Sequence, residues 1–328
     1  LLLGLKGLVS CVVFNKRNYT IIAMVQNTNF AAINNAWMIE ILEEEFFLQS
    51  GVEVGILRLD KIHPVVSGNK IFKLKYYLQS ALATDQKNII TLGGPYSNHL
   101  HATAFAAKQY GLKAIGLLKG IKPPSLSVTL EDCLQMGMEL RWSEKNAEEN
   151  SQTLWIKENF PDALFIPQGG QGELGIIGAS EIMSIQGVER FDSILAACGT
   201  GTMGAGLIMG QKEHQRSVLI SVLKNNFSVT TDICDLLKIN GLSDVKATID
   251  FSYHLGGYAK KSAELFDAMN LFYKNHNVPT DFVYTGKLIY AFYKMLKIGA
   301  FSKGEKVLLI HSGGLQGNRS LTKGELIF

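Results

Sequence analysis

At 328 residues, with 47% hydrophobic and 19% charged side chains, the chain can bury a large core and fill two domains, which excludes a disordered or low-complexity protein. A net charge of +3, with no basic run interleaved with aromatics, gives no footing for a nucleic-acid surface. Cys11, Cys133, Cys198 and Cys234 are scattered, and the seven histidines fall at no metal-ligand spacing. A disulfide framework and a metal site are therefore not expected, whereas a reducing, cytoplasmic compartment is.

Leu1 to Phe14 is apolar, but Lys6 and Gly7 interrupt it and it is too short to cross a bilayer, so no membrane association is expected. Residues 1–30 are expected to form an N-terminal extension outside the folded core. Val52 to Leu59 reads as a strand. It leads to Ser67-Gly68-Asn69, small turn-forming residues that favour the backbone just before a helix. From Lys70 the apolar residues Ile71, Leu74, Leu78 and Leu82 keep helical spacing to about Thr84. Lys70 thus stands where loop becomes helix. Alone it reads as a solvated first-turn lysine; in a cleft it is a positioned amine.

Asn88 to Leu92 is a short buried strand that breaks at Gly93-Gly94-Pro95. Tyr96-Ser97-Asn98-His99 then opens a helix of small residues from Leu100 to Tyr110, closed by Gly111. Strands follow at Lys113–Leu118, Glu139–Trp142 and Ala163–Ile166, and helices at Ser125–Met136, Ala147–Asn159 and Gly175–Ile185. The alternation restarts with the apolar run Ser193–Cys198. Strands at Ser217–Val222, Ala247–Phe251 and Lys306–His311 then alternate with helices near 229–238, 258–276 and 286–298. Buried strands separated by helices give an α/β protein with parallel sheets covered on both faces. Two sets of such units give two lobes, with a ligand at the strand C-termini between them.

Three loops could share that ligand. Gly199-Thr200-Gly201-Thr202-Met203-Gly204 follows a strand and opens a helix, so its amides and the helix dipole form an anion cup. The turn satisfies the dinucleotide pattern G-x-G-x-x-G, yet Ser221 to Asn225 carries no carboxylate for a ribose, which disfavours a nicotinamide cofactor. A smaller phosphate remains. In the second loop, Ser97 and Asn98 are ordinary caps or hydrogen-bonding partners of a flat ligand and a carboxylate. The third group is Gly256-Gly257-Tyr258, Tyr284-Thr285-Gly286-Lys287 and His311-Ser312-Gly313-Gly314.

Taken in order, these motifs resemble the 1-aminocyclopropane-1-carboxylate deaminase/D-cysteine desulfhydrase family of pyridoxal-phosphate enzymes, from about Ile33 to the C-terminus. The resemblance implies a two-lobed tryptophan synthase β-like structure (fold type II), with a small lobe, 74–185, inserted in a large cofactor-binding lobe, 31–73 and 186–328. It implies that Lys70 forms the Schiff base with pyridoxal 5'-phosphate and moves the Cα proton. Asn69, Lys73, Asn98, Gly199, Thr200, Gly201, Thr202, Thr285 and Ser312 would hold the cofactor, Lys73 as a phosphate counter-charge. Ser97, Tyr258 and Tyr284 would meet a small amino-acid substrate. A homodimer is expected on the same likeness.

The deaminases of the family are expected to carry glutamate after the tyrosine and leucine after the late histidine, where this chain has Thr285 and Ser312. A neutral hydroxyl holds a ring nitrogen protonated less strongly than a carboxylate does. The chain therefore looks more like a D-cysteine desulfhydrase, releasing pyruvate, ammonia and hydrogen sulfide, than a ring-opening deaminase giving 2-oxobutyrate. A non-catalytic binder of the same fold is the alternative of another class; Lys70, Ser97, Tyr258 and Tyr284 argue against it. Met203, where the family usually has threonine, and Pro95, in place of a small residue, depart from the pattern.

Overall fold

A computed structural model describes residues 38–143, 149–242 and 246–328. The expected N-terminal extension and the first two residues of the helix expected from Ala147 lie outside the described residues. Among the described residues ten strands run in chain order as β1 (Ile39–Leu42), β2 (Glu53–Arg58), β3 (Asn88–Leu92), β4 (Lys113–Lys119), β5 (Glu139–Ser143), β6 (Ala163–Ile166), β7 (Ser193–Cys198), β8 (Arg216–Ser221), β9 (Ala247–Asp250) and β10 (Lys306–His311). They form two sheets, ordered β1-β2-β10-β7-β8-β9 and β5-β4-β3-β6. Every pairing is parallel except β1 with β2. Near-continuous burial along β7, β8 and β10 is what a parallel sheet covered on both faces demands.

The helix Lys70–Ala83 joins the two sheets. Phe72 enters the core of the six-stranded sheet, whereas Leu74, Tyr77, Leu78 and Ala81 pack in the core around the four-stranded one. The helix Glu173–Ser180 carries the chain back and packs on it closely: a Cβ on Gly178 would stand 1.9 Å from the Phe72 carbonyl oxygen. On its other side a Cβ on Gly206, in the helix Thr202–Gly210, would stand 2.4 Å from Ala179 Cβ. Small residues let these three helices stack closely on one another.

Four elements differ from the sequence reading. β1 and the six-residue helix Glu45–Ser50 had no readable signal, because four and six residues are too short to show a period. The helix expected from 258 begins at Ala263, where the Ser262 hydroxyl accepts from Leu265 N at 3.2 Å. Residues Leu255, Gly256, Gly257 and Ala259 have φ between 49° and 109°, which no right-handed helix admits. The helix expected over 175–185 ends at Ser180 and tightens into a 3-10 turn, Glu181–Ser184. Among the described residues no helix is long and apolar enough to cross a membrane.

Gly178→Ala drives a methyl into backbone that belongs to another helix, so it forces the helix pair apart. The expected loss is about 1–3 kcal/mol, read as a lower urea midpoint with the secondary structure kept.

Candidate active site

The loop before Lys70 is held by backbone contacts. Gly68 has φ of 74°, and a Cβ there would lie 1.8 Å from the Ser312 carbonyl oxygen, so only glycine fits. Gly68 N donates to Leu59 O and Asn69 N to Ser312 O, each at 2.9 Å. Lys70 is therefore the first helical residue, and its Nζ donates to Asn69 Oδ1 at 2.8 Å. Asn69 Nδ2 in turn points at Met203 Sδ, 3.0 Å away, which ties the lysine loop to the glycine turn. Burial lowers the Lys70 amine to about 8 against an opposing pull from Asp281. One turn on, Lys73 is buried and held well below its ordinary value by burial and by the Lys70 charge.

β7 ends at Cys198, and Gly201 (φ 80°) turns the chain into the helix Thr202–Gly210. The first amides of that helix have no carbonyl partner within it. Ala205 N is the first to close a turn, onto Gly201 O at 2.8 Å. The Thr200 and Thr202 hydroxyls lie 3.2 Å apart beside this cup.

Opposite, Ser97 caps the helix Asn98–Gln109 by accepting from Leu100 N at 3.2 Å, which leaves its hydroxyl hydrogen free. Asn98 Nδ2 donates to Gly314 O at 2.9 Å, but its buried Oδ1 has no partner among the described residues. His99 is buried with Nε2 2.8 Å from the Thr91 hydroxyl. Burial, then Lys70 and Lys73, hold its ring well below the usual histidine range, so it is neutral.

The last wall carries two tyrosines. Tyr284 precedes the helix Thr285–Lys297, and its ring meets that of Tyr258 edge-on, with centroids 6.2 Å apart. Burial, then Tyr258 and Asp281, raise the Tyr284 phenol well above its ordinary value, so it stays protonated. Asp281, fully buried, accepts from Val283 N at 2.9 Å, Tyr284 N at 3.0 Å and Thr285 N at 2.9 Å. It caps the helix through all three.

These walls enclose one cavity of about 220 Å³, lined by Lys70, Lys73, Ser97, Asn98, Tyr258, Tyr284 and Ser312 together with Asn69, Gly199, Thr200 and Gly201. Two expected site residues stand behind its wall. Thr202 is buried with its hydroxyl turned to Thr200, so it can reach an anion only through its backbone N–H. Thr285 is the larger correction: its hydroxyl donates to Asp281 Oδ1 at 2.8 Å and accepts from Asp281 N at 2.8 Å, so it is committed to the cap. Sequence reasoning missed His99, Gln168, Gly169 and Asp281. Gln168 and Gly169 form a wall of the cavity, and a Cβ on Gly169 would come within 3.2 Å of Thr200 Oγ1. The glycine pair Gly169-Gly170 was the available signal; for Asp281 it was a carboxylate four residues before a helix-opening threonine.

An amine with a lowered pKa suits an aldehyde, and a turn of unpaired amides beside a lysine suits a phosphate. The unpartnered Asn98 Oδ1 suits a ring hydroxyl. One molecule carries all three groups, and fold and site together define a pyridoxal-phosphate enzyme of the tryptophan synthase β-like type. Residues 44–313 match the pyridoxal-phosphate dependent enzyme family. A Pyrococcus furiosus protein provisionally named 1-aminocyclopropane-1-carboxylate deaminase is 32% identical over 289 residues, covering 81% of this chain and 86% of its own length. A Pyrococcus horikoshii protein of the same name is 33% identical over 285 residues, with the same two coverages. A crystal structure described as an ACC deaminase homologue superposes with a TM-score of 0.75 at 29% identity, over 91% of this chain and 95% of that one. The chain belongs to the pyridoxal-phosphate-dependent enzyme family, in its 1-aminocyclopropane-1-carboxylate deaminase/D-cysteine desulfhydrase group, and its cofactor is pyridoxal 5'-phosphate.

Lys70→Ala removes the amine that would capture the cofactor aldehyde, so the visible absorption gained on mixing the protein with pyridoxal phosphate is expected to vanish. With its pKa near 8, Lys70 is neutral in about a quarter of molecules at pH 7.5, against roughly one in a thousand for an ordinary lysine. Cofactor uptake should therefore accelerate with pH and level off above about 8. A rate still climbing tenfold per unit at pH 9 would contradict it.

Proposed function

We propose that the chain is a D-cysteine desulfhydrase-type lyase: D-cysteine and water give pyruvate, ammonia and hydrogen sulfide by β-elimination. One observation carries this reading: among the described residues, no aspartate or glutamate lines the cavity, where Ser312 offers a neutral hydroxyl instead. Asp281, the nearby carboxylate, is enclosed by its cap bonds to 283–285. When bound, pyridoxal phosphate supplies a conjugated ring that accepts the electron pair left at the substrate Cα. A wall without a carboxylate favours a reaction that discharges this pair quickly, as the departing sulfur does.

In this reading the chain's own residues divide the remaining work. The Ser97 hydroxyl and the unpaired amides of Asn98 and His99 receive the substrate carboxylate. Lys70, already near neutrality in pKa, takes the Cα proton, and Asn69 Oδ1 orients its amine for the task. Tyr284, protonated across the working range, gives a proton to the sulfur as the C–S bond breaks, and Tyr258 closes the rim beside it. Thr200 and the amides of Gly201 and Thr202 hold the phosphate, with Lys73 balancing its charge. Asn98 and Ser312 meet the ring.

The lobe boundaries read from the sequence, 74–185 inserted between 31–73 and 186–328, belong to this reading. The separate cores on either side of the Lys70–Ala83 helix support them. So does a homodimer, which rests on family likeness and which sedimentation would test. The free thiols of Cys133, Cys198 and Cys234 suit a reducing cytoplasm. Ring opening of 1-aminocyclopropane-1-carboxylate is the second reading, favoured by the names that the relatives carry.

A product assay on D-cysteine, L-cysteine and aminocyclopropane carboxylate, with cofactor supplied, separates the two. Pyruvate and sulfide from D-cysteine are expected in excess; 2-oxobutyrate as the main product would replace the proposal with the second reading. Tyr284→Phe should lower kcat on D-cysteine by about 10²–10⁴-fold while cofactor absorption is kept.

A further inference from the structure

Lys287 lies outside every role assigned so far. It is completely buried on the helix Thr285–Lys297, one turn after Tyr284, and it does not line the cavity. Its Nζ donates to Gly257 O at 2.5 Å and to Val222 O at 3.2 Å. No carboxylate is within ion-pair distance of it among the described residues.

Both acceptors sit next to the cavity. Gly257 is the residue before Tyr258, in a loop whose backbone is left-handed at Leu255, Gly256, Gly257 and Ala259, so it has no helix or sheet to hold it. A Cβ on Gly257 would press on Lys224 at 3.1 Å, which shows how closely the loop lies on the segment after β8. Val222 follows β8, and its N–H donates to Cys198 O at 3.0 Å, at the root of the Gly199–Gly204 turn. One ammonium group therefore joins the Tyr258 loop, the end of the β7–β8 pair and the helix that starts behind Tyr284.

We infer that Lys287 is a positioning residue that holds Tyr258 against Tyr284 by tying the Gly257 carbonyl to the helix start. The inference rests on the reading above for the part Tyr258 plays in the reaction, but not for the loop geometry. An apolar side chain of similar length would be easier to bury than an ammonium group, yet it would leave the Val222 carbonyl without a donor and the Gly257 carbonyl with only Lys260 N, 3.3 Å away. Burial lowers the amine to about 8, against a pull from Asp281, so the bonds to Gly257 and Val222 are kept at an electrostatic cost.

The test is Lys287→Met in the holoenzyme, with Lys287→Gln, which keeps an N–H donor, as the second variant should the first not fold. Amide hydrogen exchange over residues 253–260 should quicken about tenfold or more, while the strands β7 and β10 keep their protection. Cofactor absorption should be retained. On D-cysteine, kcat should fall at least tenfold with little change in KM, and the same change made on a Tyr258→Phe background should cost much less, because both act through one ring. Glutamine should fall between methionine and lysine. Unchanged exchange at 253–260 overturns the inference outright. Faster exchange with additive losses in the double variant overturns the link to Tyr258. If no substrate turns over in the parent enzyme, the function reading fails and the exchange result still decides the positioning claim.

Discussion

The contact on which the cavity depends is backbone against backbone. Gly68 lies so near the Ser312–Gly313 peptide that a Cβ would sit 1.8 Å from one oxygen, and a Cβ on Gly313 would sit 2.4 Å from Gly68 Cα. Neither residue can be anything larger without moving the chain. Because β2 and β10 are neighbours in the same sheet, this contact fixes where the chain leaves β2, and so where the next helix starts. Lys70 is the first residue of that helix. Its amine faces the cavity because two glycines let two strand ends touch.

The same logic explains why much of the site was legible before any coordinates. Ser67–Lys70, Ser97–Asn98 and Gly199–Gly204 are local signals: a cap or glycine turn, then a helical period, within ten residues. Such segments form their turns whatever surrounds them. Parallel strand pairing then brings their C-terminal ends together without further instruction. Thr285 shows where this reasoning stops. It opens the helix behind Tyr284, but a tertiary partner, Asp281, claims its hydroxyl from both sides, and no spacing rule reports which way a hydroxyl is turned. The misplaced start of the helix before Ala263 has the same origin. Residues 258–262 have helical composition, and only the left-handed backbone on either side of Tyr258 prevents the helix.

Met203 stands where the resemblance led to the expectation of a threonine, and the fold gives the methionine a contact of its own. A threonine there would offer a hydroxyl to the cup; the methionine instead turns its sulfur to Asn69 Nδ2, 3.0 Å away. That contact steadies the side chain which orients Lys70. What the anion cup loses in a hydroxyl, the lysine loop gains in a tether, and the amides of the turn are untouched because they belong to the backbone.

The charges around the cavity point the same way. Lys70, half-buried, and Lys73, buried, stand one helical turn apart, each lowered by desolvation and Lys73 further by its neighbour. Among the described residues no carboxylate shares the wall with them. Asp281 acts from the layer behind, its charge already divided among three amides and a hydroxyl. Two desolvated amines with so little compensation are costly to fold, and such arrangements persist where a ligand removes the cost. A phosphate monoester supplies the missing negative charge, and an aldehyde converts one amine to a bond. The lowered pKa of Lys70 and the unpaired amides at Thr202 to Gly204 are therefore two sides of one electrostatic imbalance, set up by burial, which a cofactor bound as proposed would relieve.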